Sequence, residues 1–417
     1  MNNQLKPSSI NPTPPIPPYE RVDEETCPGY NPRHFYPGKP GDVLASHYQL
    51  LAKFGWGTRS TVWLARDITR PWWQSERTVA LKIINSRHDR NAYHERDIED
   101  HITRENPSHR GRMILRTSVE NFEVAGTEGN HLCLVFEPMR EPLWILKGRF
   151  VDRMLPLPIA KVYIYFLLVG LGYLHSECKV VHTDSKLDNI LMSFENDTTL
   201  PAFVKRHTND LLMQFKSDPV TKRPVYRCHN NFGPLDGRVL KNMVPEITDF
   251  GLSTRLSRAS QSGVEGEHVG INPIQPDHYR APEVILGCGW NFKADIWNIG
   301  IWEISAHSEL FNQVYDTHGR YDPKSHLAEM IALLGPPPKS LLERESAMTQ
   351  HDWSCKFLYD TLNPPRTLED TVPSFEEKEK EAFLSFAREM MTWCPKERTT
   401  ARELMEHSLF QIEGCLI

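Results

Sequence analysis

The stretch "HTDSKLDN", His182–Asn189, brings an aspartate, a lysine and an asparagine together within one short loop. Those side chains, in that order, suit phosphoryl transfer. That reaction needs a cover for nucleotide phosphates, a cation on them, oxygen ligands for a metal ion, and a group that orients the attacking hydroxyl. Asp184 suits the last task. Lys186 can neutralise charge on the group in transit, and Asn189 can hold a metal through its side-chain oxygen. His182 reads as a brace for the loop through its ring nitrogens. Further along, "EITDFGLS" supplies Asp249, a hard oxygen ligand of the kind Mg2+ takes.

The remaining parts lie upstream. In "FGWGTRSTVWLA", Gly55 and Gly57 allow a tight turn and a close approach of backbone N–H groups to phosphate oxygens. Ser60 stands where a third glycine could, and Val62 is placed to pack on a base. Phe54, Trp56, Thr58 and, further on, Ala80 complete the expected nucleotide surface. The turn lies between two strands and no helix follows it, which argues against a dinucleotide-binding unit. "VALK" puts Lys82 inside an apolar strand, where an ammonium is costly unless paired. Its partner is expected on the next helix: Glu95 by preference, with Glu99 one turn later as the alternative. Singly, each signal has a plain structural reading, a hairpin turn or a solvated lysine. Their shared order makes coincidence a poor explanation.

The elements that must position these residues change character along the chain. Residues 1–20 are proline-rich with little apolar periodicity and read as a disordered tail; residues 21–47, proline-rich and aromatic, read as a strap. From Tyr48, short β-branched or aromatic runs ("YQLLAKFG", "STVWLARD", "TVALKII", "HLCLVFE") predict antiparallel strands. Beyond about residue 141, helical patterns dominate. The reading is therefore α+β in two parts, 48–140 and 141–412, with a less periodic insertion at about 193–245 that is helical in places.

Composition sets few further limits. The chain is 39% hydrophobic and 24% charged with net charge −6, which gives no electrostatic reason to expect nucleic acid or a membrane. Its eight cysteines are scattered without a C-x-x-C pair, as expected for free thiols in the cytoplasm or nucleus. The longest apolar run, Val162–Leu174, is shorter than the roughly 20 residues of a membrane span and reads as a buried helix.

With "HYRAPEVILG" and "CPKERTTARELM" added, G-x-G, V-A-L-K, an acidic helix, H-x-D-x-K-x-x-x-N, D-F-G and A-P-E follow one another in order. This sequence resembles the eukaryotic protein kinases over roughly residues 48–412. In finer wording ("GWG…STVWLA", "HLCLVFEP", H-T-D, "PDHYRAPEVILG" and the insertion) it is similar to the SR-protein kinases and their fungal relatives. The resemblance implies a bilobal kinase fold, with a small antiparallel β-rich N-lobe and a larger, mainly helical C-lobe, acting with ATP and Mg2+ on protein serine or threonine. It implies Phe136 at the back of the nucleotide pocket and Glu137 and Met139 at the hinge. It also implies structural roles for Asp295 and for a buried Glu283–Arg398 pair. The partners implied are protein substrates, SR-type splicing factors or other basic proteins.

Thr183 departs from the wider kinase pattern, and three details depart from the branch itself, the first being an insertion shorter than the spacer SR-protein kinases generally carry. Thr183 replaces the arginine that grips a phosphorylated activation segment in many kinases, which implies activation without that phosphate. D-F-G stands where prominent members of the branch have D-L-G. In the helix "YDPKSHLAEMIALLG", two acidic positions that dock arginine-serine repeats become Ser325 and Ala332. A scaffold that binds nucleotide without catalysis is the alternative reading of the same residues.

Overall fold

Hydrophobic alternation in the first third of the chain builds one antiparallel sheet. Its strands are β1 (Val43–Leu44), β2 (Tyr48–Trp56), β3 (Ser60–Asp67), β4 (Thr78–Ile84), β5 (Glu120–Ala125) and β6 (Asn130–Phe136), ordered β1-β2-β3-β4-β6-β5. Because successive side chains point to opposite faces, Val79, Leu81, Ile83, Cys133 and Val135 share one buried cluster, while Ala80, Ile84, Leu134 and Phe136 share another. The computed structural model describes residues 15–71, 73–86, 89–150, 152–210, 213–256, 270–299, 301–305, 309–341, 366–372 and 375–411.

The chain divides into two compact units. The first comprises Met1–Asp97, Thr117–Arg140 and Phe194–Asn242; the second comprises Ile98–Arg116, Glu141–Ser193 and Met243–Ile417. The insertion thus belongs with the sheet, although it follows the catalytic-type loop in sequence. Packing gives the reason. Met213 and Tyr226 cover the sheet face carrying Leu81 and Val135, and Phe203, Val204 and Phe232 close around Leu64. A helix, α4 (Thr199–Asp210), and a hairpin of β10 (Phe215–Ser217) and β11 (Pro224–Tyr226) form the body of this insertion.

The end of the tail, expected to be disordered, is instead ordered from residue 15 and, with the strap, is tied to that hairpin. Ile16, Val22 and Val225 form a small apolar cluster, and Ile16 donates its N–H to the Phe215 carbonyl at 3.2 Å. Residues 1–14 of the proline-rich tail lie outside the described residues. Register shifts in β2 between Leu50 and Ala52, and again between Lys53 and Gly55, break the alternation, so Ala52 and Lys53 are both buried. The buried Lys53 ammonium is matched by Asp23 at 3.1 Å, by Glu24, and by the Tyr226 carbonyl at 2.8 Å.

The second unit is built on α3 (Leu157–Ser176), 20 residues long, which extends the apolar run on both sides. By length and composition it could cross a membrane, but here it is a core helix, with Tyr163, Leu167, Leu171 and Leu174 buried. Tyr173 donates its hydroxyl to the Ile102 carbonyl at 2.7 Å. The turn at Arg110–Ile114 lies so close to α3 that a Cβ on Gly111 would stand 2.3 Å from the Val169 carbonyl oxygen. Two small antiparallel sheets carry the loop that follows. One pairs β8 (Val180–Val181) with β13 (Thr254–Arg255), and the other orders β12 (Pro245–Ile247), β9 (Ile190–Met192) and β7 (Glu141–Pro142).

Candidate active site

In the first unit, the turn joining β2 to β3 is closed by the Gly57 N–H bonding to the Ser60 carbonyl at 2.9 Å. Gly55 sits opposite Val62, Thr58 and Trp56 are exposed, and Ser60 is buried. Val62, Ala80 and Phe136 pack in one apolar cluster with Phe54. Lys82, in β4, reaches Glu95 on α1 (Asp89–Arg104): Nζ to Oε1 is 2.6 Å, and the carboxylate is almost fully buried. Of the two glutamates left open by sequence, the geometry therefore pairs Glu95 with the lysine. Glu99, one turn on, is buried as well. At the end of β6, Glu137 is exposed and paired with Arg77 at 2.9 Å, and Met139 is buried.

In the second unit, His182–Asn189 is held from below. The buried carboxylate of Asp295, on α6 (Lys293–Asn298), accepts the His182 N–H at 2.7 Å and the Thr183 N–H at 2.9 Å; His175 Nε2 lies 2.8 Å from the same group. Two backbone N–H groups on one carboxylate fix the loop's backbone, and Thr183 takes the left-handed conformation (φ 71°). His182 donates from Nε2 to the Thr248 carbonyl at 3.0 Å and accepts the Asp184 N–H on Nδ1 at 3.2 Å. Its ring packs edge-on against Phe250.

Asn189 spends its amide hydrogens on the Asp184 carbonyl at 2.8 Å and carboxylate at 2.7 Å, which leaves its side-chain oxygen as an acceptor. Lys186 Nζ lies 3.5 Å from the same carboxylate. Burial raises the Asp184 carboxyl above the usual aspartate range; Lys186 and His182 oppose that shift, while the negative charge of Asp249 adds to it. Asp249 itself is left-handed (φ 68°), the conformation that starts the D-F-G turn. Among the described residues no three His, Cys, Asp or Glu side chains gather into a metal cage. The second unit thus brings Asp184, Lys186, Asn189 and Asp249 into one electrostatic neighbourhood. The arrangement can orient a hydroxyl and present oxygen ligands.

Comparison with known proteins decides the family. The protein kinase domain matches residues 48–206 and 238–410, leaving out part of the insertion. The chain belongs to the protein kinase family. A serine/threonine protein kinase of Aspergillus fumigatus is 33% identical over 390 residues, covering 92% of this chain and 90% of that one. The serine/threonine-protein kinase SRPK of Physarum polycephalum is 28% identical over 412 residues, covering 92% and 91%. The crystal structure of the PF14_0431 kinase domain shares the fold, with a TM-score of 0.63 at 21% identity, covering 91% of this chain and 99% of that one. The protein is a serine/threonine kinase that resembles the SR-protein kinase branch, with the bilobal fold expected of it.

Two further groups of residues named from the sequence lie elsewhere in the second unit. Arg398 forms a fully buried, two-pronged pair with Glu283, at 2.8 and 3.0 Å, and also donates to the Lys293 and Thr392 carbonyls. On α8 (Pro323–Leu334), Ser325 is spent on the helix start, its N–H and hydroxyl both bonded to Asp322. The helix's one carboxylate, Glu329, is buried against Arg366 at 3.3 Å and the Asn312 N–H at 2.7 Å.

Sequence reasoning missed the contribution of the insertion. Arg140, directly after the hinge, is buried between Glu195 at 2.9 Å and the Phe232 ring at 5.9 Å; Phe232 also packs edge-on against Phe54. Nothing in "VFEPMR" marks that arginine as buried, so its need for a partner shows only in the fold. Ser257, Ser260 and Ser262 of the activation segment lie outside the described residues.

Proposed function

We propose that this kinase transfers the γ-phosphoryl group of ATP to protein serine or threonine hydroxyls with Mg2+, without needing a phosphate on its own activation segment. The observation that carries the reading is the double hydrogen bond from Asn189 to Asp184. It fixes the aspartate that orients the hydroxyl and leaves the asparagine's side-chain oxygen as an acceptor. Together with Asp249, that donor set suits Mg2+, which ordinarily takes one or two protein oxygens and completes its shell with phosphates and water. Bound Mg2+ neutralises charge on the nucleotide phosphates.

Each side chain then has a defined task. Val62, Ala80 and Phe136 hold the base, Gly55 and Gly57 admit the phosphates, and Glu95 keeps Lys82 aimed at them. Asp184 accepts a hydrogen bond from the substrate hydroxyl and orients it for in-line attack, and Lys186 stabilises charge on the group in flight. Thr183 ties the loop to the Leu252 carbonyl at 2.9 Å, where an arginine would demand a phosphate.

The resemblance to the SR-protein kinases points to arginine-serine substrates. The chemistry of α8 supports a narrower reading, in which serine recognition is local to the catalytic loop and owes little to docking on that helix. Labelled ATP, Mg2+ and a peptide array of arginine-serine, basic, acidic and proline-directed serines test both points, with Asp184→Ala as control. Transfer above the control is expected. Transfer no greater than the control favours the nucleotide-binding scaffold, and strict dependence on long arginine-serine repeats overturns the local reading.

A further inference from the structure

The tail end, the strap and the inserted hairpin form a concave pocket of about 1000 Å³ on the first unit, lined by residues between Pro18 and Arg33 and between Lys216 and Thr221. None of its residues has a part in phosphoryl transfer. We propose that it docks an acidic, extended peptide segment of a partner protein, a role separate from the reaction assigned above.

Charge carries the argument. Around this interface most cations are committed: Lys53 to Asp23 and Glu24, Lys216 to Glu25 at 2.9 Å, and Arg227 to Glu20 at 2.5 Å. Arg223 donates to the carbonyls of Pro32, Arg33 and Phe35. Arg21 and Arg33 line the pocket, are exposed, and have no side-chain hydrogen bond or ion pair among the described residues. The pocket's two carboxylates do not answer them. Glu25 is spent on Lys216 and the Val22 N–H, and Asp218 caps the N–H groups of Val220 and Thr221, which holds it below the usual range despite some burial. The lining therefore presents two guanidinium forks on a chain whose net charge is −6. Arginine forks match carboxylates bidentately.

Shape selects a peptide over a simple anion. A volume of about 1000 Å³ is at the upper end for ligand pockets and far exceeds an inorganic anion. Its lining includes Pro18, Pro28, Tyr30, Pro32 and Pro219, and also Tyr19 (88% exposed) and Val220 (75%). Such flat apolar faces accept alternate side chains of an extended chain, while the arginines take the acidic ones.

The test uses the full-length kinase and fluorescence anisotropy of a labelled peptide of alternating glutamate and valine. Saturable binding is expected, weakened at least about ten-fold by Arg21→Ala with Arg33→Ala, the loss of two charge-assisted contacts. Val220→Asp should weaken it too, and serine-peptide phosphorylation should be unchanged in all variants. Bound peptide should slow alkylation of Cys27, which lines the pocket, as read by mass spectrometry. Equal binding by the double variant, equal binding of the glutamine-valine peptide, displacement by inorganic phosphate alone, or tighter binding of a single-stranded oligonucleotide would each overturn the assignment.

Discussion

Thr183 donates its hydroxyl hydrogen to the carbonyl oxygen of Leu252 at 2.9 Å, linking the catalytic loop to the turn after D-F-G without any charge. An arginine here would need a phosphate on the activation segment to settle its charge. The threonine needs only a neutral carbonyl that is already in place. Exhaustive phosphatase treatment should therefore leave kcat on a serine peptide within about two-fold of the untreated enzyme. A ten-fold fall would show that a phosphate is required after all.

Asp295 is fully buried and accepts from two backbone N–H groups of the loop, His182 and Thr183, with His175 beside it. Removing one partner of such a group leaves buried donors unsatisfied, each costing about 1–3 kcal/mol. Asp295→Ala should destabilise the kinase by about 3–5 kcal/mol in urea unfolding and reduce kcat more than it raises KM for ATP. A change in KM alone would mean the carboxylate does not position the loop.

Glu303, on the helix Ile301–Ser305, predicts a pH dependence of stability. Burial raises its carboxyl to about 7, with Glu309 and Asp188 adding to the rise and Tyr279 and Lys147 opposing it. Between the ordinary glutamate range and about 7 the folded state holds a proton that the unfolded state has lost. Stability therefore declines as pH rises through that window and levels off above it. The full span is on the order of 3 kcal/mol. Glu303→Gln should flatten the decline in denaturant unfolding followed from pH 5 to 8. An equal slope in both proteins would assign it to other groups.

How much of this was legible in the sequence follows from what each group needs. Lys82, Asp184, Asn189 and Asp249 stand out because phosphate chemistry demands those types in that order. A lysine inside an apolar strand also calls for a carboxylate, although sequence left Glu95 and Glu99 both open. The covering of the sheet was illegible for the opposite reason. Lys53 meets the Tyr226 carbonyl across 173 positions, and Arg140 meets Gly233 across 93. No local periodicity encodes such a pairing, so the insertion's place in the first unit emerged only from its contacts.

Gly111 offers a test of close packing beneath the loop. An added Cβ would lie 2.3 Å from the Val169 carbonyl oxygen and 2.5 Å from Tyr173 Cβ, and neither is the far end of a flexible chain. Gly111→Ala should cost about 1–3 kcal/mol by overpacking. Gly148→Ala, with open space around its position, serves as the control. Equal midpoints for the two variants would show that the turn moves freely away from α3.

The Glu283–Arg398 pair makes a sharper prediction, because both side chains are fully buried. Truncating one partner strands the other's charge, so Arg398→Ala should cost about 3–5 kcal/mol. Replacing both with apolar side chains (Glu283→Leu with Arg398→Met) removes the stranded charge. It still forfeits the bonds from Arg398 to the Lys293 and Thr392 carbonyls, at about 1 kcal/mol each. The double variant should thus be more stable than the sum of its single variants by well over 0.5 kcal/mol, the usual limit of additivity for independent sites. Chemical denaturation of all four proteins gives that coupling directly. Additive losses would mean that each side chain is held by its other neighbours, and that the pair does not itself join the A-P-E segment to the rest of its unit.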